Sequence, residues 1–495
     1  MNRYFNEKSN YDKYPVVNVP GMEEECRVGW RAISDRLEKD LSQIGKKVKV
    51  VVLECYQGVS DEEVVTALQS AFPASRWFFS ADAMKSPEQI DAILKQDITE
   101  DEIFGYMTRQ NMDCYFDGDK LPGIRSEIAA VTEGIVFVYG VGAAYVQPSY
   151  DLLVYADMAR WEIQMRFRRN EVSNVGISNR EERASLQYKR AFFVDWRICD
   201  RFKKKLMKKW DYVLDTNTAG NPKMATAKAI EAGLEKASRT PFRVVPFFDP
   251  GPWGGQWMKE VCDLDREVPN FAWCFDCVPE ENSLYLGFGD VRFELPSIDL
   301  VFAYPARLLG NPVYGRFGDE FPIRFDFLDT MEGGNLSLQV HPLTQYIQEK
   351  FGMHYTQDES YYILDAAENA DTHVYLGCKT GIQPEEFQKA LEDSQQTGQF
   401  DAERFVNVIP AKKHDHFLIP AGTIHCSGKD CMVLEISAMP YIFTFKLWDW
   451  GRLGLDGRPR PIHLAHGMKN IQFDRDTEWV QKNLVNRVEV IHEEE

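Results

Sequence analysis

Residues 336–342, LSLQVHP, decide how the second half of the chain is interpreted, because they combine a strand pattern with two potential metal ligands. Gln339 and His341 lie two positions apart. On a β-strand that spacing puts both side chains on the same face, so both can reach one ion. The stretch therefore predicts a strand that carries half of a ligand set.

Two later stretches supply the other half. DESYYILDA (358–366) predicts a second strand with Glu359 at its start, and FLIPAGTIHCSG (417–428) predicts strands joined by a turn, with His425 after the turn. Two imidazoles, one carboxylate and one amide oxygen form a mixed nitrogen and oxygen set suited to zinc. Such a set with open positions for water or substrate is a catalytic rather than a structural arrangement.

Each member of this set also has an ordinary interpretation. A single histidine among the nine in the chain is more often a hydrogen-bonded polar residue than a ligand. The IPAGT turn (419–423) alone could form a plain hairpin. The four residues together, each in a strand context, favour a metal site.

The sequence around this site is typical of an antiparallel β protein. From TPFRVVPFFDPGPWGG (240–255) onward, short strands such as 284–295 and 372–379 alternate with Gly, Pro, Asn and Asp turns. Helical inserts such as PEEFQKALEDS (384–394) interrupt them. Residues 241–495 are therefore predicted to form a mainly-β domain with helical inserts.

The first half has a different pattern, in which apolar strands alternate with helices. The predicted strands are KVKVVVLECY (47–56), SRWFFSADAM (75–84), EGIVFVYGVGAAYV (133–146) and YDLLVYADM (150–158). Continuous apolar strands separated by helices imply a parallel sheet covered on both faces. Residues 1–240 are therefore predicted to form an α/β domain, with surface helices at 160–176 and in the basic segment 183–209.

Composition limits the partners and the compartment. The chain has 495 residues and a net charge of −19, which argues against a nucleic-acid partner but not against a small basic pocket. No apolar run approaches the roughly 18 residues of a membrane span, and the N-terminus lacks the apolar core of a signal peptide. Ten scattered cysteines, with one incidental CxxC at Cys274 and Cys277, suggest reduced thiols. We therefore predict a cytoplasmic protein without membrane partners; the oligomeric state stays open.

Several segments of the second half resemble, in order, the class I mannose-6-phosphate isomerases, zinc enzymes of the cupin superfamily. They are FFDPGPWGGQWMKE (247–260), FPIRFDFLDT (321–330), LSLQVHP (336–342), YYILDA (361–366), IPAGTIH (419–425), VLEIS (433–437) and WDWGR (448–452). The resemblance covers roughly residues 245–475. It implies a cupin fold, that is, a double-stranded β-helix or jelly roll.

The resemblance also implies roles for individual residues. It makes one zinc ion per chain the cofactor, a sugar phosphate the small-molecule partner, and mannose 6-phosphate and fructose 6-phosphate the substrate pair. Isomerisation moves a proton between C1 and C2, with a metal to stabilise the oxyanion. The implied zinc ligands are Gln339, His341, Glu359 and His425; the implied catalytic residues are Lys446 and Glu435; the implied substrate-binding residues are Ser337 and Arg452.

Three positions depart from the family pattern. Asp326 and Gln357 stand where the family has lysines, and Lys446 stands where it has an arginine. Lys446 keeps the charge but lacks the bidentate fork of a guanidinium. Either other cations hold the phosphate, or the ligand is an unphosphorylated sugar. The candidate cations are Arg324, Lys379, Arg452 and Lys412.

These departures leave two hypotheses for the second half. The first is a zinc-dependent sugar-phosphate isomerase. The second is a carbohydrate-binding or regulatory metal cupin that has altered specificity or no turnover. Restoring the two lysines and the arginine should raise activity under the first hypothesis and create none under the second.

The first half resembles P-loop kinases of the uridine-kinase type at VKVVVLECYQGVSDEEVVTAL (48–68). A working phosphate loop needs glycines and a lysine in GxxxxGK[ST] form. Here only Gly58 is present, and VSDEE (59–63) stands where GKST would be. The resemblance therefore implies a degenerate kinase-like domain kept for packing, assembly or ligand sensing. The alternative, an active bifunctional kinase, would have to bind ATP.

Overall fold

The structure is a computed structural model that describes residues 8–368, 371–438 and 443–492. Its strands are β1 Val16–Asn18, β2 Cys26–Val28, β3 Val48–Cys55, β4 Arg76–Phe79, β5 Gly134–Gly140, β6 Leu152–Asp157, β7 Tyr212–Asp215, β8 Lys223–Thr226, β9 Phe247–Asp249, β10 Trp273–Cys277, β11 Ser283–Phe288, β12 Val291–Pro296, β13 Arg324–Asp329, β14 Leu338–Val340, β15 Glu359–Ala366, β16 His373–Cys378, β17 Val406–Pro410, β18 His416–Ile419, β19 His425–Ser427, β20 Cys431–Ser437 and β21 Phe445–Trp448. Its α-helices are α1 Trp30–Gln43, α2 Asp61–Ala71, α3 Pro87–Ile98, α4 Lys120–Ala129, α5 Ala143–Val146, α6 Arg160–Arg168, α7 Ala184–Arg190, α8 Trp196–Leu206, α9 Ala227–Ala237, α10 Trp257–Val261, α11 Ile298–Ala303, α12 Pro305–Leu309, α13 Asn311–Phe317, α14 Thr344–Phe351, α15 Pro384–Thr397, α16 Ala402–Phe405, α17 Leu464–Gly467 and α18 Thr477–Asn483.

The described chain divides into two compact units, and each is built from separated segments. One unit comprises Pro15–Val245 and Pro279–Glu320, and we call it the α/β unit. The other comprises residues 8–14, Pro246–Val278 and the described residues from Phe321 onward, and we call it the β unit. The predicted division into domains 1–240 and 241–495 stays a prediction, and residues 279–320 pack with the first half of the chain.

A seven-stranded sheet in the order β2-β8-β7-β6-β3-β5-β4 forms the centre of the α/β unit. Strands β4, β5, β3, β6 and β7 are parallel, while β8 and β2 join antiparallel at one edge. The predicted parallel sheet is therefore present, and its strands coincide with β3 to β6. Strand β6 is buried along its whole length, as its continuous apolar run predicts.

The loop between β3 and α2, which the sequence analysis compared with a phosphate loop, hydrogen-bonds to other parts of the protein. Gln57 donates to the carbonyl of Ser173 at 2.9 Å and accepts from the Trp196 indole at 2.8 Å. The carbonyl of Gly58 accepts from Arg166 at 2.9 Å. The polar groups of this loop are thus committed to internal hydrogen bonds.

The basic segment 183–209 is buried over much of its length, so the prediction of a surface helix is wrong there. Lys203, on α8, is 1% exposed and donates to Asp157 at 2.8 Å and to Asp299 at 2.9 Å. Arg160, at the start of α6, pairs with the buried Asp200. These cations are buried because carboxylates at the strand ends and on α8 and α11 neutralise them.

A three-stranded sheet in the order β1-β11-β12 completes the α/β unit. Strands β11 and β12 form an antiparallel hairpin where the sequence predicts short strands at 284–295, and β1 pairs with β11 in parallel. The strands were readable in the sequence, whereas the pairing with residues 16–18 was not.

Two antiparallel sheets form the β unit, as its alternating strands and turns predict. One sheet has the order β18-β15-β20-β13-β10-β9, and the other has the order β17-β16-β19-β14-β21. One face of the first sheet packs against an apolar cluster, which includes Met258, Phe271, Cys274, Met331 and Met432. Its other face is the one that carries the candidate site.

Within the described residues, no helix combines the length and the apolar character needed to cross a bilayer.

The loop after β3 yields a prediction for Gly58. Its φ is +98°, and an added Cβ would lie 2.8 Å from Cγ1 of Ile163. Gly134 has nearly the same φ, +97°, but an added Cβ there would meet no atom within 4 Å. Gly134→Ala should lower the free energy of unfolding by about 1–3 kcal/mol, because alanine is strained at a positive φ. Gly58→Ala should lower it by about 1–3 kcal/mol more, because its added Cβ also overpacks against Ile163.

Urea unfolding of the two variants beside the unchanged protein measures this difference. Equal losses of unfolding free energy for Gly58→Ala and Gly134→Ala would contradict close packing of the loop against α6.

Candidate metal centre

The strand pairing in the β unit brings Gln339 and His425 together. Strands β14 and β19 are antiparallel neighbours, and these two residues stand directly opposite each other. Gln339 Nε2 lies 3.2 Å from His425 Nε2. His341 follows β14 by one residue, so it extends the same side of the strand that Gln339 occupies. Three of the four predicted ligands thus come from one sheet.

Glu359 comes from the start of β15, in the other sheet, and its carboxylate lies between the two histidines. Oε2 lies 2.9 Å from His341 Nε2, and Oε1 lies 2.8 Å from His425 Nε2. The potential ligand atoms of these three buried residues all lie within 4.8 Å of one another. The cluster can therefore hold a metal ion.

The outer nitrogens of both rings are committed to backbone carbonyls. His341 Nδ1 donates to the carbonyl of Phe443 and His425 Nδ1 donates to the carbonyl of Thr423, each at 2.9 Å. A neutral imidazole has one N–H, so these bonds leave Nε2 of each ring with a lone pair. Such outer contacts are typical of metal-binding histidines, because they fix the tautomer and the orientation of the ring.

The centre therefore contains acceptors that face acceptors. With both rings neutral, the lone pair of each Nε2 lies beside a carboxylate, which also only accepts hydrogen bonds. The Gln339 amide is a donor that lies within reach of His425 Nε2 alone. Glu359 Oε1 is buried and makes no hydrogen bond within the described ranges, although it lies 2.8 Å from His425 Nε2. A cation between these atoms, or protonation of the rings, relieves the repulsion. For Gln339 to join as a ligand, its amide must turn Oε1 toward this centre. The donor set fits zinc.

The electrostatics of the centre describe the other case, in which the rings are protonated. Burial raises the pKa of the Glu359 carboxyl, but the charges of His341 and His425 outweigh burial and hold that pKa well below its usual range. Glu359 is thus ionised whenever a cation is present beside it, and an ionised carboxylate is the form that binds metal.

Three neighbouring strands of the six-stranded sheet form an inner wall beside Glu359. Strand pairing sets Arg324, Ser437 and Glu359 in one row and Asp326, Glu435 and Tyr361 in the next. Gln357 joins the rows, since its Nε2 donates to Glu359 Oε2 at 2.8 Å and to Glu435 Oε1 at 3.3 Å. The predicted catalytic residue Glu435 therefore lies close to the predicted metal ligand.

The inner wall is rich in carboxyl groups. Burial raises the pKa of Asp326 to about 7, and Arg324 opposes this shift while Glu359 adds to it. Burial, together with the charges of Asp326 and Glu359, raises the pKa of Glu435 well above its usual range. Of the cations that the sequence offered for phosphate, Arg324 lies in this wall, whereas Lys379 and Lys412 are exposed.

Ser337 and Arg452, the predicted substrate-binding residues, meet at Asp449. Ser337 Oγ donates to Asp449 Oδ1 at 2.9 Å, and Arg452 Nη2 donates to the same oxygen at 2.7 Å. Arg460 donates to Asp449 Oδ2 at 2.7 Å and to Ser337 Oγ at 3.1 Å. Sequence reasoning missed Arg460; the signal available was its place in GRPRPIH (457–463), which follows WDWGR (448–452) after four residues.

Lys446 stands on β21, opposite Gln339 on β14, so both side chains project from the same face of that sheet. Burial, together with the charges of Arg460 and Arg452, lowers the pKa of Lys446 to about 8, and Asp449 opposes this shift. Its Nζ has no hydrogen-bond partner within the described part of the chain. A cation is therefore available beside the centre.

Comparison with known proteins places the chain in a family. The protein is 30% identical to YvyI of Bacillus subtilis strain 168, whose designation as a mannose-6-phosphate isomerase is itself provisional. The match extends over 230 residues, which are 46% of this chain and 67% of the relative. The chain belongs to the mannose-6-phosphate isomerase family. It is also 27% identical to the mannose-6-phosphate isomerase of Streptococcus mutans over 223 residues, which are 44% of this chain and 63% of that protein. The chain thus spans less than two thirds of the length of that relative.

The chain is also similar to a solved structure and to a second family. A crystal structure of the mannose 6-phosphate isomerase from Bacillus subtilis matches with a TM-score of 0.39 and 22% identity, over 46% of this chain and 68% of that one. Residues 29–239 match a family described as a domain of unknown function, DUF8485. The assignment to the mannose-6-phosphate isomerase family rests on the sequence relatives.

The acceptor-rich centre yields a prediction for zinc binding. Glu359→Gln removes the carboxylate that faces both histidines, so zinc affinity should fall by more than the roughly 10- to 100-fold that is typical of losing an outer contact. Competition with a chromogenic zinc chelator measures the loss. His414→Ala, which removes an exposed histidine of the same unit, is the control. A Glu359→Gln protein that binds zinc as tightly as the unchanged chain would show that the centre is not a metal site.

Proposed function

We propose that the protein is a zinc-dependent aldose–ketose isomerase that acts on a sugar phosphate, with mannose 6-phosphate and fructose 6-phosphate as the substrate pair. The observation that carries the proposal is the centre of His341, Glu359 and His425, in which the lone pairs of neutral rings lie beside a carboxylate. Membership of the mannose-6-phosphate isomerase family supports the reaction type. The proposal includes one zinc ion per chain, with Gln339 as a fourth ligand, a cupin-type jelly roll and a cytoplasmic location.

The proposed chemistry divides between the centre and its neighbours. Bound zinc would stabilise the oxyanion that develops as a proton moves between C1 and C2. Glu435 hydrogen-bonds to Gln357, which also contacts Glu359, so its carboxyl is placed to exchange a proton with a substrate at the centre. Lys446 Nζ, which lies in register with Gln339, would hold the substrate oxygen with its positive charge.

The phosphate is proposed to bind at the cluster of Ser337, Arg452 and Arg460. Two guanidinium groups there share one carboxylate, that of Asp449, which leaves a net positive charge. Arginine presents paired N–H donors that match phosphate oxygens. Lys446, whose pKa is affected by both arginines, adds a third cation. These groups would replace the lysines that the family has at the positions of Asp326 and Gln357.

One observation favours the second candidate function, a carbohydrate-binding or regulatory metal protein with altered specificity or no turnover. Asp326 is buried directly opposite Glu435 in the inner wall. When ionised, a carboxyl group in that position repels an anionic substrate group, which disfavours a phosphate on this side of the centre. An unphosphorylated sugar would meet no such repulsion.

For the α/β unit we propose a kinase-like domain that has lost nucleotide turnover and serves packing, assembly or ligand sensing. Two observations support the proposal: β3 lies in the middle of the parallel strands, and the loop after it hydrogen-bonds to other parts of the protein. The alternative of an active kinase requires ATP binding, so calorimetric titration of the full chain with ATP separates the two; heat of binding would favour the active kinase.

The isomerase proposal is tested by a coupled assay of mannose 6-phosphate and fructose 6-phosphate interconversion with zinc-loaded protein. Arg460→Met should raise KM by roughly 10- to 100-fold, because it removes charged hydrogen bonds to the phosphate. Lys446→Met should lower kcat by about 100-fold or more, since it removes a charge beside the reacting oxygens.

Arg458→Met is the matched control for Arg460→Met, because Arg458 is an exposed arginine of the same segment. It should leave both constants unchanged. Absence of turnover in the zinc-loaded unchanged protein, together with calorimetric binding of a sugar, would favour the regulatory alternative.

A further inference from the structure

Every hydrogen-bonding group of the Gln357 side chain, which joins the inner wall, has a partner. Its Nε2 donates to Glu359 at 2.8 Å and to Glu435 at 3.3 Å, and its Oε1 accepts from Arg324 Nη2 at 3.2 Å and from the backbone N–H of Phe443 at 3.4 Å. A side-chain amide has two N–H donors and two lone pairs on its oxygen. All four are used, in a side chain that is 3% exposed.

The direction in which this amide points is important for Glu359. An ionised carboxylate can only accept hydrogen bonds, so the amide must present its NH2 group, and not its oxygen, to Glu359. The two ends of an amide have almost the same shape, and packing alone does not choose between them. The choice is made by the donors on the far side. Arg324 is the charged one of these two donors, and charged donors make the stronger hydrogen bonds.

Arg324 is itself held in place. It is 1% exposed, and its Nε donates to Ser437 Oγ at 3.2 Å. Ser437 stands between Arg324 and Glu359 in the row of paired strands. Because a guanidinium is planar, bonds at Nε and Nη2 to two different side chains fix its orientation.

We propose that Arg324 is a positioning residue of the metal centre: it acts through Gln357 to hold Glu359 with one carboxylate oxygen toward each histidine. The proposal rests on the metal site of the proposed function. It also gives a reason for the departure at Gln357, since a lysine there would place a second cation beside Arg324. The arginine and the amide together take the place of one lysine.

This proposal predicts a specific pattern of zinc affinities in the full chain, measured by chelator competition at fixed pH. Arg324→Met should bind zinc roughly 10- to 100-fold more weakly, the usual effect of losing an outer contact. Arg324→Lys keeps a charged donor for Gln357 Oε1, so its zinc affinity should be close to that of the unchanged protein. Gln357→Lys alone should also weaken zinc binding. The double variant Arg324→Met/Gln357→Lys should bind zinc more tightly than either single variant, because the new lysine then has no cation beside it.

Arg458→Met is the control, since it removes an exposed arginine of the same unit; its zinc affinity should equal that of the unchanged protein. Wild-type affinity in Arg324→Met, or losses that simply multiply in the double variant, would overturn the proposal. If Arg324→Met fails to fold, as judged by thermal unfolding without zinc, Gln357→Lys decides, and unchanged affinity there overturns it.

The same measurements separate this proposal from the isomerase proposal. A protein that shows the predicted affinities but no turnover overturns only the isomerase proposal. An unchanged protein that binds no zinc overturns both.

Discussion

The site depends on one electrostatic constraint: two imidazole rings, when neutral, use their only N–H groups on backbone carbonyls and so present lone pairs to a buried carboxylate. The fold has to produce this arrangement from separate sheets. The pairing of β14 with β19 sets Gln339 opposite His425, and β15 supplies Glu359 from the other sheet. Neither sheet carries the complete set, so the centre exists only where the two faces meet. Such an arrangement of acceptors is costly without a cation.

Around this centre, the cations lie at other positions than the lysines of the family pattern. The positions where the family has lysines hold Asp326 and Gln357, but Arg324 lies on the same strand face as Asp326 and hydrogen-bonds to Gln357. The cations Lys446, Arg452 and Arg460 gather on the side of β14 and Asp449. The site is therefore acidic on one wall and basic on the other. A ligand with one anionic end and one neutral, hydroxyl-rich end matches this polarity.

The sequence predicted well what depends on local pattern. Two-residue spacing predicted the strand that is β14, with His341 directly after its end, and apolar runs located strands β3 to β6. It failed where burial or pairing depends on distant residues. Lys203 was predicted to be exposed, because nothing near it in sequence shows that Asp157 and Asp299 neutralise its charge. Arg460 lies in a segment of turn formers, and its role in the cluster depends on Asp449, which is identifiable as a partner only in three dimensions.

The parallel pairing of β1 with β11 has a consequence for synthesis on the ribosome. Residues 16–18 leave the exit tunnel early, whereas their partner strand, residues 283–288, emerges only after the seven-stranded sheet has been made. At about 5–20 residues per second, β1 waits many seconds without a partner. An unpaired strand edge exposed for that long invites association with other chains. The short length of β1, three residues, limits that risk during translation.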